Sequence, residues 1–202
     1  MRALIVAVVA LAPSLASARD RGELLLAPRA GLLLPYGFSA LGASYLVGVE
    51  VGWALPVLKH RLAVTVAGDF TAPEASGSAV DPRLDASGGA YTWHLSQREV
   101  ILGLSLVYRH PLGRVTPYAG LGPRLFLIDA RIDGNAGGAH IAQSHEQSTQ
   151  IGGGAVVGLG VRAGPGDLFA ELRVDASPID HRTTGPSNTG ALAIAAGYRV
   201  IF

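Results

Sequence analysis

From about residue 23 onward, apolar side chains recur at every second position, separated by small or polar ones. The pattern is clearest at the C-terminus, where two rows alternate: Leu192, Ile194, Ala196, Tyr198, Val200 and Phe202 against Ala191, Ala193, Ala195, Gly197 and Arg199. A period of two puts successive side chains on opposite faces of a strand. The pattern predicts eight strands, at 23–34, 44–54, 61–70, 98–109, 116–128, 149–163, 168–175 and 189–202.

The seven connections between these strands alternate in length. Three are short, at 55–60, 110–115 and 164–167, and four are longer, at 35–43, 71–97, 129–148 and 176–188. Outer-membrane barrels have short periplasmic turns and longer external loops. We therefore predict an all-β fold, an eight-stranded antiparallel up-and-down transmembrane β-barrel with both termini periplasmic and the four longer connections outside.

The other face of the strands carries most of the strand charges, and we expect it to line the barrel lumen. These residues are Arg29, Glu50, Asp69, Glu99, Arg109, Arg124, Arg162, Glu171, Arg173 and Arg199. Eight strands enclose only enough room for side chains, so we expect the mixed charges to pair and plug the lumen. The first and fifth strands are apolar on both faces, so hydrophobicity does not show which positions face the lumen. We assign those positions from Arg29 and Arg124, which we expect to point inward. Pro28 and Pro123 each remove a ladder donor, and a bulge in the fifth strand would change its phase.

A soluble lipocalin-like barrel is the alternative fold, with the apolar face inside and the polar face outside. Its exterior would then carry few charges and much Gly and Ala, which argues against it. Aromatic residues also gather near the strand ends, as expected for two membrane-interface girdles. The outer band is Tyr45, Phe70, Tyr91, Trp93 and Phe126, and the periplasmic band is Trp53, Tyr108, Tyr118, Phe169, Tyr198 and Phe202. In the predicted alternation Phe126 and Phe169 lie on the inward face, and a membrane-interface girdle does not explain aromatic residues in that position.

The first eighteen residues have the pattern of a signal peptide. Arg2 precedes a ten-residue apolar run, and Ala16-Ser17-Ala18 forms a small-x-small cleavage site. We expect a cleaved segment 1–18 and a barrel domain 19–202. That domain carries 15 basic and 15 acidic residues and no Cys, so we expect neither nucleic-acid binding nor disulfides.

The last six residues, GYRVIF, resemble the C-terminal signature of bacterial outer-membrane proteins. Segment 115–128, VTPYAGLGPRLFLI, is similar to a strand of the small outer-membrane barrels, the OmpA-, OmpX- and OmpW-like class. The resemblance implies residence in the outer membrane with its lipid as partner. It also implies periplasmic chaperones and recognition by the barrel-assembly machinery through Tyr198, Val200 and above all Phe202. We expect no peptidoglycan-binding domain after the barrel and therefore no OmpA-like anchoring role.

Candidate chemistry is sparse. His94-Leu95-Ser96, with Glu99 nearby, is similar to the His-x-Ser pair of lipid A deacylases, but its surroundings do not match that family. His140 and His145 share the third outer loop with carboxylates, yet the spacing fits no compact metal motif. His60, His110 and His181 fall in predicted turns or loops, and no GK[ST] follows the run Gly152–Gly154. We therefore expect no enzyme activity, no cofactor and no metal.

The leading hypothesis is a barrel with a structural or surface-interaction role that displays four external loops. Transport of small hydrophobic molecules across the outer membrane, as in OmpW-like barrels, is the second hypothesis, and it requires a lateral gap or an apolar internal pocket. A lipid A-modifying enzyme is the third. The sequence specifies no external ligand.

Overall fold

The computed structural model describes residues 22–36, 41–83, 86–181, 185–188 and 190–202. The expected signal peptide, residues 1–18, lies outside these ranges. The strands are β1 (Glu23–Pro35), β2 (Ser44–Ala54), β3 (Leu62–Thr71), β4 (Glu74–Val80), β5 (Ala90–Arg109), β6 (Val115–Ala136), β7 (Ala139–Ala163), β8 (Gly166–Ala176), β9 (Pro178–His181), β10 (Gly185–Asn188) and β11 (Ala191–Ile201). A single 3-10 turn, Ala86–Gly89, is the one helical element described. Within these ranges no helix is long and apolar enough to cross a membrane.

The sheet closes on itself. Every pair of neighbouring strands is antiparallel, and β1 pairs with both β2 and β11. The pairing of β3 with β5 closes the barrel, and β4 continues the line of β3 beyond Pro73 to pair with the outer part of β5. Counting β3 and β4 as one interrupted strand, and leaving aside the separate β9–β10 hairpin, the barrel has eight strands. The predicted all-β, eight-stranded antiparallel up-and-down barrel is confirmed.

The predicted outer loops 71–97 and 129–148 are wrong, because both segments are mostly strand. β6 and β7 pair from Val115↔Val161 to Ala136↔Ala139, with one register shift between Gly134 and Asn135. Gly137 and Gly138 make the turn, with φ of 57° and 83°, a conformation that glycine adopts without a steric penalty. Beyond the membrane the outward face of such a hairpin contacts water instead of lipid, so the outward apolar row that marks a membrane strand disappears.

The outward faces carry a belt of exposed apolar side chains. It includes Val47, Val49, Val51, Val66, Leu102, Leu104, Leu106, Val157, Leu159, Leu172 and Ile194. In a protein surrounded by water, exposed apolar surface of this extent is unusual. It is the expected wall of a barrel in lipid, where all backbone groups must be satisfied by a closed sheet.

Part of the predicted aromatic girdle is wrong. Tyr118, Phe126 and Phe169 are buried inside the barrel, at 6%, 1% and 5% exposure, because each lies on the inward row of its strand. Trp93 also lies on an inward row and packs against the inner cluster of Leu41, Ala75, Leu95 and Ala130. The outward rows retain Tyr45 and Phe70, whose ring centroids lie 6.2 Å apart, together with Trp53, Tyr108 and Tyr198.

Candidate functional site: the charged layer of the lumen

The centre of the lumen holds a continuous network of buried ions. Arg29 donates two hydrogen bonds to the Asp69 carboxylate, of 2.9 and 2.8 Å, and a third of 2.9 Å to Glu171. Its Nη1 also lies 3.6 Å from Glu50 Oε2. The fork of a guanidinium suits this bidentate geometry. Arg29 thus links β1 to β2, β3 and β8.

A second arginine extends the network toward the outer side. Arg173 donates hydrogen bonds of 2.6 Å to Asp69 and 2.7 Å to Asp175. Asp175 in turn accepts a 3.0 Å bond from Nε of Arg124, whose Nη1 donates to the Ser105 hydroxyl at 2.9 Å. Strands β5 and β6 are therefore joined to the same cluster.

Toward the periplasmic side, Arg199 completes the network. It donates a 3.1 Å hydrogen bond to Glu50, and its guanidinium lies 4.8 Å from the ring centroids of both Tyr118 and Phe169. The Tyr118 hydroxyl donates to Glu171 at 3.1 Å. The two rings misassigned to the girdle thus form an aromatic support for a buried cation.

The charges of this network balance. Four arginines face four carboxylates: Arg29, Arg124, Arg173 and Arg199 with Glu50, Asp69, Glu171 and Asp175. Every one of these side chains is at most 10% exposed. Buried ions need such pairing, because an uncompensated buried charge costs several kcal/mol, about 3–5 when one partner is removed.

Glycines on inward rows make the space for these long side chains. A Cβ added at Gly48 would clash with Oδ1 of Asp69, and one at Gly154 would clash with Oδ1 of Asp175. Strand β7 contributes no charge to the network, and its Gly158 gives its space to the Tyr118 ring. The many glycines of the sequence therefore have a specific packing role here.

The remaining predicted lumen residues lie outside the network. Arg109 is buried and pairs with Asp167 at 3.3 Å, near the periplasmic end. Glu99 is buried near the outer end and accepts a hydrogen bond from Gln97; among the described residues it has no ion-pair partner. The placement of Arg162 in the lumen is wrong. Arg162 belongs to the inward row of β7, but it lies one residue before the end of the strand, and its side chain is exposed.

An apolar layer lies in the outer half of the lumen, and the alternation of the sequence does not predict it. Leu33, Leu46, Ile101, Phe126 and Ile128 form a buried cluster there with three alanines of β11. Asp175 and Asp167 are ion-pair partners outside the predicted lumen set. Asp175 lies on the inward row of the predicted strand 168–175, a signal that identifies it, whereas Asp167 falls in the predicted turn 164–167.

The C-terminal residues close the barrel. The backbone of Phe202 exchanges two hydrogen bonds with Leu24, of 2.9 and 3.2 Å. The Tyr198 hydroxyl donates to the Ala163 carbonyl at 2.7 Å, and Val200 pairs with Leu26 in β1. Val200 and Phe202 therefore lie at the seam between the first and last strands, whereas the Tyr198 side chain extends from the last strand toward the end of β7.

The histidines are spread over the molecule. His94 and Ser96 lie on the outward row of β5 beyond the apolar belt, and within the described ranges no hydrogen bond joins either side chain to the other or to an acid. His145 lies 3.0 Å from Asp129, and this contact, with Gln147, lowers the Asp129 pKa to about 2. His140 is exposed, and His60 lies in a left-handed turn with φ of 59°. Among described residues no three His, Asp or Glu side chains are placed to hold a metal.

A closed eight-stranded barrel with an apolar wall and a charged lumen defines a class, the transmembrane β-barrels of outer-membrane type. Neisserial surface protein A has the same fold, with a TM-score of 0.55 and 22% identity over 89% of this chain and 97% of that one. A major outer membrane protein from Thermus thermophilus is also similar, with a TM-score of 0.54 and 18% identity over 89% and 99% of the two chains. No family model and no curated protein matches the sequence. The similarity of this chain to the two solved structures is therefore a similarity of fold.

Proposed function

We propose that this protein is an integral protein of the bacterial outer membrane whose lumen is closed by its ion network, and whose role is structural or surface-interacting rather than enzymatic. The observation that carries the proposal is the continuous network of four arginines and four carboxylates, contributed by six barrel strands. The apolar cluster above it adds a second closed layer. A barrel filled in this way offers its outer surface, and not a channel, for function.

Conductance tests the closed lumen. The purified protein, reconstituted in a planar bilayer, is expected to show no current steps above the lipid background. A matched control is Arg83→Ala, which removes an exposed ion pair with Asp81 outside the barrel and should leave the trace unchanged. Reproducible single-channel steps from the wild-type protein would contradict the closed lumen.

Export and assembly belong to the same proposal. Residues 1–18 act as a cleaved signal peptide, periplasmic chaperones accompany the chain, and the barrel-assembly machinery recognises Tyr198, Val200 and above all Phe202 in the last strand. The mature protein should fractionate with outer membranes and change its gel mobility on boiling. Phe202→Ala should lower the folded fraction in cells yet still fold in detergent. A soluble periplasmic protein would contradict the localisation.

Surface display can be tested with single cysteines, because the chain has none of its own. Ala139 is exposed at the tip of the β6–β7 hairpin, and Arg114 is exposed at the opposite end of the barrel. On intact cells an impermeant maleimide should label Ala139→Cys, whereas Arg114→Cys should react only after permeabilisation. The reverse pattern would invert the proposed orientation.

Transport of small hydrophobic molecules has less support. It needs a lateral gap or an apolar internal pocket. Within the described residues the sheet closes on itself, and the members of the apolar cluster around Phe126 are packed against one another and at most 4% exposed. A lipid-modifying activity likewise needs a histidine oriented by an acid, a contact that His94 lacks among the described residues. The non-enzymatic role is therefore the one we propose.

A further inference from the structure

Two adjoining grooves follow the outer wall of β5, β6 and β7. The upper groove, of about 380 Å³, is lined by Arg98, Val100, Leu127, Asp129, Gln147 and Thr149 among others. The lower groove, of about 320 Å³, is almost entirely apolar and is lined by Val66, Leu102, Leu104, Pro123, Leu125 and Ile151 among others.

The strand register places one groove directly above the other. Val100, Leu127 and Thr149 form one row across the three strands, and the next row toward the membrane is Leu102, Leu125 and Ile151. One row in the other direction lie Arg98, Asp129 and Gln147. Rows on one face are separated by two residues, roughly 7 Å. The wall thus changes from apolar to charged within one row, where lipid headgroups meet the chains.

Arg98 is an available cation at this boundary. It is exposed, and no carboxylate within the described ranges forms an ion pair with it. Asp129, its neighbour across the strands, is already engaged by His145 and Gln147, each at 3.0 Å, and by Arg131 at 3.5 Å. A guanidinium binds phosphate oxygens through parallel hydrogen bonds. A phosphate beside Arg98 would therefore not have to displace an existing ion pair.

Small residues on the lipid-facing wall extend the lower groove beyond its lining residue Pro123. Ile151 and Leu121 project from the wall at 75% and 69% exposure. Between them, on the same outward rows, lie Pro123 and Gly153, which face each other in the register. A Cβ at Gly153 would meet only the Gly122 carbonyl, at 3.9 Å. The small residues leave a depression beside two prominent apolar side chains.

Above Arg98 the wall remains polar for three further rows. Ser96, Arg131 and His145 form the first, His94, Asp133 and Gln143 the second, and Thr92 and Asn135 the third. Three rows span roughly 20 Å, more than a glycerol phosphate headgroup reaches. A saccharide headgroup would find donors and acceptors over this height.

We propose that this wall binds a phosphorylated glycolipid of the surrounding leaflet. Its phosphate is held by Arg98, one acyl chain lies in the lower groove, and its sugars contact the polar rows above. The inference rests on the proposed membrane location. It assigns a use to the outward polar residues His94 of β5 and Gln143, His145 and Gln147 of β7, which the closed lumen does not involve.

Native mass spectrometry of the detergent-solubilised full chain tests the site. The probes are a purified bisphosphorylated lipid A-type glycolipid, a phosphatidylglycerol with matched acyl chains, and inorganic phosphate. The glycolipid should be retained most strongly. Arg98→Gln should reduce its retention about tenfold, the scale of one lost charged hydrogen bond, and Arg98→Lys should lose less. Arg114→Gln, an exposed arginine at the other end of the barrel, is the control.

A second variant addresses the acyl groove. Gly153→Leu places an apolar side chain into open space on the lipid-facing wall and should leave the barrel folded. It should still weaken glycolipid retention, because Gly153 faces Pro123 of the groove lining and a leucine there would narrow the path of the acyl chain. Ala155→Leu, one row further along β7, is its matched control and should bind like the wild type.

Equal glycolipid retention by the wild type, Arg98→Gln and Gly153→Leu would overturn the site. Equal retention of phosphatidylglycerol would contradict the glycolipid assignment, and binding of inorganic phosphate alone would contradict a lipid ligand. If these failures occur in a protein that fractionates with outer membranes and shifts on boiling, the proposed function stands. A protein absent from the membrane would overturn both.

Discussion

Arg29 on β1 and Asp69 on β3 meet across the strand that separates them, joined by two hydrogen bonds of 2.9 and 2.8 Å. The residue between them in the β2 register is Gly48. Because Gly48 has no side chain, the carboxylate can lie over β2 and reach the guanidinium. A glycine in a central strand, which normally weakens it, here makes a buried ion pair possible.

Gly48→Ala should therefore destabilise the barrel. The new Cβ would clash with Asp69 and would lie 2.6 Å from the Gly68 carbonyl oxygen, and overpacking of this kind costs about 1–3 kcal/mol. Urea unfolding in lipid vesicles measures the loss. Gly68→Ala is the control, because its Cβ faces lipid and would meet only Leu102, at 3.6 Å. Equal stability of the two variants would contradict the packing role of Gly48.

The ion pair itself can be measured with a double-mutant cycle. Arg29→Met removes the positive charge that neutralises Asp69 and Glu171. Loss of one partner of a buried ion pair lowers the free energy of unfolding by about 3–5 kcal/mol. The double variant Arg29→Met/Asp69→Leu should lose less than the two single losses added together, by at least about 0.5 kcal/mol. Additive losses in the free energy of unfolding would show that the two residues are not coupled.

The apolar outer wall predicts that an arginine substitution destabilises the barrel more strongly the closer it lies to the bilayer midplane. Val157 is 53% exposed on the outward face of β7, and an arginine at the bilayer midplane costs about 2–4 kcal/mol. Val157→Arg should show that loss in vesicle unfolding. Thr92→Arg, on the outward row of β5 beyond the belt, should change the free energy of unfolding little. A barrel surrounded by water would tolerate both substitutions equally.

The contact between His145 and Asp129 predicts a local pH response beyond the apolar belt. The hydrogen bond from His145 is the main cause that lowers the Asp129 pKa from 3.8 to about 2. Since the folded pKa lies below the unfolded one, the stabilisation is present above pH 3.8 and is lost as the pH falls toward 2. Carbon NMR of the carboxylate in micelles should report this midpoint, and His145→Ala should move it upward. An unchanged midpoint in His145→Ala would exclude the contact as the cause.

The strands that cross the apolar belt could be predicted, whereas their outer extensions could not. Inside the belt one face contacts lipid and the other the lumen, so a period of two is imposed on segments such as 44–54 and 168–175. Beyond Arg98 and Asp129 the outward faces of β5 and β6 are polar, whereas their inward faces still contribute Trp93, Leu95 and Ala130 to an inner cluster. Because lipid no longer covers the outward face, the outward apolar row that marks a membrane strand is absent there, and hydrogen-bond pairing with neighbouring strands defines those segments.

The sequence by itself determined the class of fold, the inward direction of most charged residues and the position of the closing strand. The reason is that one face of each strand contacts lipid and the other contacts the packed lumen. Successive positions therefore face two different environments, and each environment restricts the residue types that fit. Which charges meet was decided only by the tertiary structure. The stagger of neighbouring strands sets that choice. It brings Arg29 to Asp69 over Gly48 and places Arg162 at the rim. Glu99 is left with a hydrogen bond from Gln97 of its own strand. Partners separated by up to 149 residues, as Glu50 and Arg199 are, become neighbours only when the barrel closes.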